Sequence, residues 1–436
     1  MFRIARILLI LIGLLLVTSI AAEAQTSRPK IDVLTVKGTI NPVLVDYISR
    51  GIDQAEDEGA QAVIIQMDTP GGLDTAMRDI IQAIVNSRIP VVVYVAPSGA
   101  RAASAGAYIT LSAHVAVMAP NTAIGAATPV SLGSDGEAQM SDEMKAKVIN
   151  DASAYIRDLA DSHGRNADWA EKAVREGVSA TSREALELNV IDMIASDLNT
   201  LVAQLDGRQV TMLDGTVVTL QTQGAPLETI AMKAIERFLY TIADPNIAFI
   251  LLSLASLGIM VEIFNPGLIF PGVVGAICGI LAFYSLGQLP VNIAGILLII
   301  LAFGFFIGEV LTTTFGIFTV GGVTALVIGS LVLFQGGSPI FRVDPWLIAT
   351  VTIIIASLFA FVVNRAIRAH RKQAVTGREE LIGKKAVVKA ALDPEGTVFL
   401  KGERWTAISD EGKIEPGEEV IITAVDGLIL NVIKKQ

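Results

Sequence analysis

The chain has 436 residues, 52% of them hydrophobic and 17% charged, with 38 glycines, one cysteine and a formal net charge of −10. That composition is too apolar for one soluble domain, too low in charge for a disordered chain and too poor in cysteine for a disulfide scaffold. The acidic balance gives a nucleic-acid role no electrostatic support.

Residues 1–24 read as a signal peptide. Arg3 and Arg6 precede an uncharged apolar run from Ile7 to Ile20, and Ala22-Glu23-Ala24 supplies a small-x-small cleavage pattern. At about 1.5 Å per residue that run is short for a bilayer span. An uncleaved anchor is the alternative, and both readings put the next block outside the cytoplasm. Residues 25–240 carry 17 Lys and Arg against 27 Asp and Glu, the balance of an acidic soluble domain. Within it, 31–36 and 62–67 read as strands around a helix at 41–58. A turn, Asp68-Thr69-Pro70-Gly71-Gly72, leads into a helix at about 73–86. Pro90–Val95 is a buried strand, 101–112 a helix of small residues, and 115–118 a strand. A Gly-rich loop at 131–137 precedes a long helix at about 142–163, and 209–220 reads as a hairpin on an Asp-Gly turn. Strands alternating with helices predict a largely parallel α/β core.

From 246 to 364 the only charged residues are Glu262, Glu309, Arg342 and Asp344. Five apolar spans are expected, at about 246–264, 269–288, 291–311, 316–335 and 345–363. The stretch 364–378 holds five basic side chains and no acid, which places it in the cytoplasm by the positive-inside rule. An outside domain followed by an odd number of spans ends on that side. Glu262 and Glu309 lie near span ends and read as interfacial or helix-facing carboxylates, with an ion relay as the functional alternative. The last block, 380–436, predicts five short strands separated by Gly- and Pro-containing turns, the pattern of a small OB-type barrel. It lacks a basic-aromatic stripe, so a docking or structural role is expected of it rather than nucleic-acid binding.

Chemistry-bearing residues are few. Three histidines (His114, His163, His370) and Cys278 have no metal-ligand spacing, so no metal and no cofactor is expected. Any nucleophilic chemistry would need lysine as its base. Glycines at the Pro70-Gly71-Gly72 strand-to-helix turn let backbone N–H groups approach a ligand at a helix start. Ser104 is flanked only by Ala and Gly, in Ala102-Ala103-Ser104-Ala105-Gly106-Ala107. By themselves these residues also fit a small-residue helix packed on a sheet.

Taken together, Asp68-x-Pro70-Gly71-Gly72, Ala103-Ser104-Ala105-Gly106-Ala107-Tyr108 and Met118-Ala119-Pro120-Asn121-Thr122-x-Ile124-Gly125 resemble a ClpP/crotonase-type protease core. The likeness is to the long membrane-bound NfeD proteins, related to signal peptide peptidase A. The string from Lys147 to Arg157 and the order signal peptide, protease domain, membrane block and barrel fit that family across essentially the whole chain. The resemblance implies Ser104 as nucleophile and Lys147 as general base, with backbone N–H groups of Gly71 or Gly72 and of Ala105 as the oxyanion hole. Clp-type proteases carry a histidine just after the strand that here ends at Gly125, so the histidine route is absent. A lysine base must be neutral. Its reference pKa of ~10.4 has to fall by about 3 through burial, equivalent to about 4 kcal/mol. On a helical wheel Met144, Val148, Ala152, Tyr155 and Leu159 share a face, and Lys145 lies nearer to it than Lys147 does, which keeps Lys145 as an alternative.

The resemblance further implies a stomatin- or prohibitin-like membrane partner, a hydrophobic peptide substrate, a homodimer or larger homo-oligomer, and a multi-pass cell-membrane protein with the protease domain periplasmic. The competing expectations are a non-catalytic scaffold that docks such a partner and, more remotely, an acyl-CoA enzyme of the crotonase type.

Overall fold

The computed structural model describes residues 30–129, 141–312, 316–334, 339–371 and 378–435. The signal peptide and the Gly-rich loop expected at 131–137 lie outside the described residues, as does part of the basic stretch at 364–378. Two compact units are distinguished. One comprises the described residues of Met1–Ile307 with Val320–Ile353, the other those of Gly308–Thr319 with Ile354–Gln436.

The α/β part opens with β1 (Ile31–Lys37), α1 (Pro42–Asp57), β2 (Ala62–Asp68), α2 (Asp74–Val85) and β3 (Val91–Val95). Asn41 caps α1 by accepting from the Leu44 N–H, and Pro42 fills the first turn, where its missing donor costs nothing. Val43, Leu44, Tyr47, Ile48 and Ile52 recur at helical spacing and bury one face. A short β4 (Arg101–Ala103) passes through Ser104 into α3 (Ala105–Ser112). Then follow β5 (Val115–Met118), β6 (Ala123–Gly125), α4 (Asp142–Asp161), α5 (Ala167–Arg175), β7 (Ser179–Thr181), α6 (Ser182–Glu187) and β8 (Met193–Ile194). The part closes with α7 (Leu198–Leu205), the hairpin β9 (Gln209–Thr211) and β10 (Val217–Thr219), β11 (Leu227–Thr229) and α8 (Ala234–Ile242).

The main sheet is parallel throughout, in the order β11-β1-β2-β3-β5-β8. Its middle strands are buried on both faces. Leu34, Val36, Ile65 and Val93 join one core, and Ile31, Val33, Ile64 and Val92 the other, which is why these strands read as unbroken apolar runs. A second, three-stranded sheet orders β4-β6-β7. The 101–112 segment therefore differs from the single helix expected. Arg101–Ala103 is a strand paired to Ala123–Gly125, because a run of Ala and Ser has no hydrophobic period to separate strand from helix.

Beyond α8 come α9 (Pro245–Phe264), α10 (Ile269–Gly287), α11 (Ile293–Leu311), α12 (Ile317–Val332) and α13 (Pro345–Arg371). The first three are long and apolar enough to cross a membrane; Ile317–Val332 and Pro345–Phe361 are shorter apolar helices. α9 and α10 meet backbone to backbone: a Cβ on Gly258 would lie 2.5 Å from Pro271 O and 2.8 Å from Gly275 Cα. Glu309 has a structural use. Its carboxylate accepts from Gly316 N at 2.8 Å and Thr319 N at 3.0 Å, capping the start of α12. In the second unit β12 (Lys385–Ala390), β13 (Glu395–Leu400), β14 (Glu403–Ser409), β15 (Glu419–Asp426) and β16 (Ile429–Lys434) close into a barrel, consistent with the OB type expected.

His114 immediately precedes β5, and its Nδ1 accepts from the Val91 N–H at 3.1 Å. The His163 ring packs edge-on at 6.1 Å, and Arg165 is buried beside Asp192. Burial, with His163 and Arg165 adding to it, pushes His114 down to about 4. The unfolded chain takes up this proton near 6.5. Stability is therefore lost as pH falls from about 6.5 towards 4, by up to about 3 kcal/mol, and is unaffected above 7. His114→Asn keeps an acceptor for Val91 without the titration. Its thermal midpoint, followed across that pH range, is expected to fall less steeply than that of the wild type.

Candidate active site

Ser104 is the joint between β4 and α3, and its backbone is strained. Its φ of 52° and ψ of −117° lie where L residues are rare, and such outliers concentrate at functional sites. The strain is held by its surroundings. Ser104 N donates to Gly125 O at 3.0 Å, and Ser104 O accepts from Ala107 N at 2.9 Å. Thr69 N donates to Arg101 O, and Ala103 N to Thr69 O, so the end of β2 is stitched to β4 on both sides. The Ser104 hydroxyl does not cap α3 and is left available.

Gly71 faces it. Gly71 has a φ of +119°, and a Cβ there would stand 2.8 Å from Ser104 Cβ and 3.3 Å from its Oγ. Gly106 is required in the same way, since a Cβ on it would meet Thr69 Cγ2 at 2.6 Å. Of the N–H groups expected at an oxyanion hole, that of Gly71 donates to Thr69 Oγ1 at 3.0 Å. Those of Gly72 and Ala105 have no protein acceptor among the described residues. Buried Thr69, whose hydroxyl also donates to Gly71 O, braces this turn, and the sequence analysis did not single it out; its signal was a hydroxyl inside the Asp-x-Pro-Gly-Gly turn.

Lys147 stands apart. It is exposed in the single chain, as is Lys145, and among the described residues no hydrogen bond joins either to Ser104. Ser141 caps α4 by accepting from Met144 N, with Asp142 and Glu143 in the first turn. The expected apolar face is used only from Ala152 onward, where Ala152, Ile156 and Leu159 are buried, whereas Met144 is 47% exposed. α4 meets the core from Ile149, and is tied to it by Asp151, which accepts from Arg78 Nη2 at 2.8 Å, and by the Ala152 carbonyl, which accepts from Tyr108 Oη at 3.4 Å. Tyr155 stacks on Tyr108, with the Arg78 guanidinium 4.6 Å over its ring.

A strained serine at a strand-to-helix turn, facing a glycine loop on a parallel sheet that continues into apolar helices, defines a membrane-bound α/β protein of hydrolase type. The NfeD1b N-terminal domain matches residues 30–223, the NfeD integral membrane domain 246–365, and the NfeD-like C-terminal, partner-binding domain 378–434. The chain belongs to the NfeD family and is a multi-pass membrane protein. It is 42% identical over 412 residues to the membrane-bound protease PH1510 of Pyrococcus horikoshii, covering 93% of each chain. Its identity to the membrane protein NfeD1b of Bacillus subtilis is 28% over 457 residues, covering 98% of this chain and 97% of that one. Among solved structures, a lysine-to-alanine mutant of the 1510-N membrane-bound stomatin-specific protease, in complex with a substrate peptide, is 36% identical. It covers 50% of this chain and 98% of its own, with a TM-score of 0.46. The likeness to PH1510 supports a protease role.

The contact at Gly71 gives a graded test. Gly71→Ala adds both positive-φ strain and overlap with Ser104 and is expected to cost about 3 kcal/mol or more. Gly99, at φ +90° with nothing within 4 Å of its missing Cβ, carries only the strain. Gly99→Ala is expected to cost about 1–2 kcal/mol. Denaturation midpoints of the two variants in detergent measure the difference; equal costs would mean the Ser104 contact is slack.

Proposed function

We propose that this chain is a membrane-anchored serine endopeptidase with Ser104 as nucleophile and Lys147 as general base. The Gly71-Gly72 turn and Ala105 supply the oxyanion donors, chiefly through the Gly72 and Ala105 N–H groups. Ser104 Oγ attacks the scissile carbonyl carbon as its proton passes to Lys147 Nζ, and the oxyanion is held by backbone donors. Collapse expels the amine, which takes the proton back from Nζ, and water then hydrolyses the acyl-enzyme. The observation that carries this reading is the strained Ser104 against Gly71, with two unpaired N–H groups beside it.

Helix geometry supports Lys147 as the base. Both α3 and α4 run towards the sheet edge where His114 and His163 meet, α3 ending just before His114 and α4 just before His163. Tyr108 touches Ala152. Ser104 lies four residues before the one and Lys147 five before the other, so the two stand within about one helical turn of the same level. The exposure of Lys147 means that substrate, or a second copy of the chain in a homodimer or larger assembly, must cover the first half of α4 to dehydrate the amine. That same exposure favours the second reading, a non-catalytic scaffold.

The domain plan we propose is a signal peptide at 1–24, a protease domain at 25–240 outside the cytoplasm, a membrane domain at 246–364 and a cytoplasmic barrel at 380–436. The barrel would dock a stomatin- or prohibitin-like partner, a hydrophobic segment of which is the substrate. The stomatin specificity named for the 1510-N relative supports this choice.

Full-length protein in lipid vesicles, given peptides from the apolar segment of a stomatin-like protein, tests the reading. Wild type is expected to cleave. Ser104→Ala and Lys147→Ala should each lose roughly 10³-fold or more, and the double variant little beyond that. Cleavage that survives both substitutions would assign the nucleophile elsewhere. An inactive wild type that still binds its partner would leave the scaffold.

A further inference from the structure

α8 (Ala234–Ile242) packs against α1 and the end of β1, and meets the apolar helices at its C-terminal end. Glu236 accepts from Arg50 Nε at 2.7 Å and Nη2 at 2.8 Å, tying the helix to α1. Tyr240 Oη donates to Lys37 O at 2.9 Å and to Thr39 O at 3.4 Å, tying it to the end of β1. Gly38 is the residue that admits this ring, for its φ is +102° and any Cβ would overlap the Tyr240 hydroxyl. At 100° per residue, Ile235, Phe238, Leu239 and Ile242 form a separate apolar stripe about 100° wide. Ile235 is 58% and Phe238 46% exposed, while Leu239 is half-buried and Ile242, beside α10, is buried.

The place of this stripe identifies what covers it. Only Ala243 and Asp244 separate α8 from α9, a link of about 7 Å at most. Asp244 caps α9 by accepting from Asn246 N at 2.8 Å. Ser285, in the last turn of α10, donates to Ile242 O. Asp344 N, beside the start of α13, donates to Asn246 Oδ1 at 2.8 Å. Asn292 N, before α11, donates to Leu333 O, after α12, at 2.9 Å. These contacts mark one end of the apolar helix block, and exposed Trp346 lies at that end, as interfacial aromatics do. Exposed Ile235 and Phe238 thus sit on a helix joined directly to that end of the apolar block, with exposed Arg237 on the opposite face.

We propose that α8 is an interfacial amphipathic helix whose Ile235 and Phe238 side chains enter the headgroup–acyl boundary of the outer leaflet. It holds the C-terminal edge of the parallel sheet at the membrane surface. The link to the site is short: Tyr240 grips the Lys37–Thr39 turn, Gly38 N donates to Asp68 O, and Ile40 N donates to Gly71 O, opposite Ser104. On the protease reading, a substrate segment would reach Ser104 as it leaves the bilayer. The lipid contact itself does not depend on that reading.

The test uses the full chain with Cys278→Ala, reconstituted in vesicles of phosphatidylethanolamine and phosphatidylglycerol. Spin labels are placed singly at Ile235→Cys, Phe238→Cys, Arg237→Cys as the water-facing reference and Ile280→Cys as the lipid-facing one. Power saturation compares collision with oxygen and with a water-soluble nickel chelate. The oxygen-to-nickel ratio at 235 and 238 is expected to exceed that at 237 several-fold and to stay below that at 280. A ratio at 235 and 238 equal to that at 237 would overturn the proposal. So would suppressed collision with both agents, which would mean that a second copy or another protein covers the stripe. Peptide cleavage is not read in this experiment, so its failure is distinct from failure of the protease assignment.

Discussion

Two backbones approach unusually closely at the C-terminal edge of the parallel sheet, and the candidate site depends on that approach. Ser104 occupies its position because Gly71 presents only hydrogen towards it. The same device recurs around it: Gly106 lets α3 lie on Thr69, and Gly125 lets β6 lie against Val178 O. Such small residues bury little apolar area, so the hydrophobic effect holds this corner weakly. Its rigidity comes from backbone hydrogen bonds that tie β4 to Thr69 on one side and Gly125 on the other, each contributing about 1 kcal/mol net. Those bonds offset a strain at Ser104 of about 1–3 kcal/mol. The serine is thus pre-positioned in the resting chain.

The distribution of titratable groups explains why lysine is the base left to consider. His114 and His163 meet at the opposite edge of the sheet, beside the buried Arg165–Asp192 pair. A strand of five to seven residues separates the two edges by about 20 Å, too far for either imidazole to reach Ser104. From His163 back to Lys147 along α4 is sixteen residues, about 24 Å, so on the proposed reading the helix is long enough to carry one amine back towards the serine's edge. Leaving that amine in water until something covers it has a physical merit. A lysine kept dry in the resting state without a carboxylate partner would cost several kcal/mol of desolvation, whereas the buried Arg165 is offset by Asp192. On the proposed reading, coupling the dehydration to binding would confine that cost to the moment of use.

Much of this was legible in the sequence because burial leaves a pattern. The unbroken Val91–Val95 run, the capped and periodic α1, the five apolar helices and the turn-punctuated barrel strands all announce themselves through one-dimensional periodicity. What failed to show was set by tertiary contact. Arg101–Ala103 pairs as a strand although its residues carry no period. Met144 continues an apolar face on the helical wheel, yet that face meets the core only from Ala152. The stripe on α8 spans little more than two turns and merges in sequence with the apolar run after it, so only the grip of Tyr240 on Gly38 reveals it as a separate element. At the site itself, Ser104 and the glycines could be named from the motif. The diversion of the Gly71 N–H to Thr69 Oγ1 could not, since it follows from a hydroxyl orientation that no spacing encodes.

On the proposed protease reading, the chain also has to avoid cutting its own membrane helices. A scissile segment must lie extended across Ser104 and Gly71, with its amide reached by Oγ. The chain's own candidate is the junction before the first span, and it is locked. α8 is hydrogen-bonded to α1 and β1, α9 is capped by Asp244, and the two residues between them are too few to form a strand. Unwinding either helix would forfeit its backbone hydrogen bonds and, for α9, expose unpaired amides to hydrocarbon. The short link between α8 and α9 therefore withholds the nearest peptide bonds from an extended pose at Ser104.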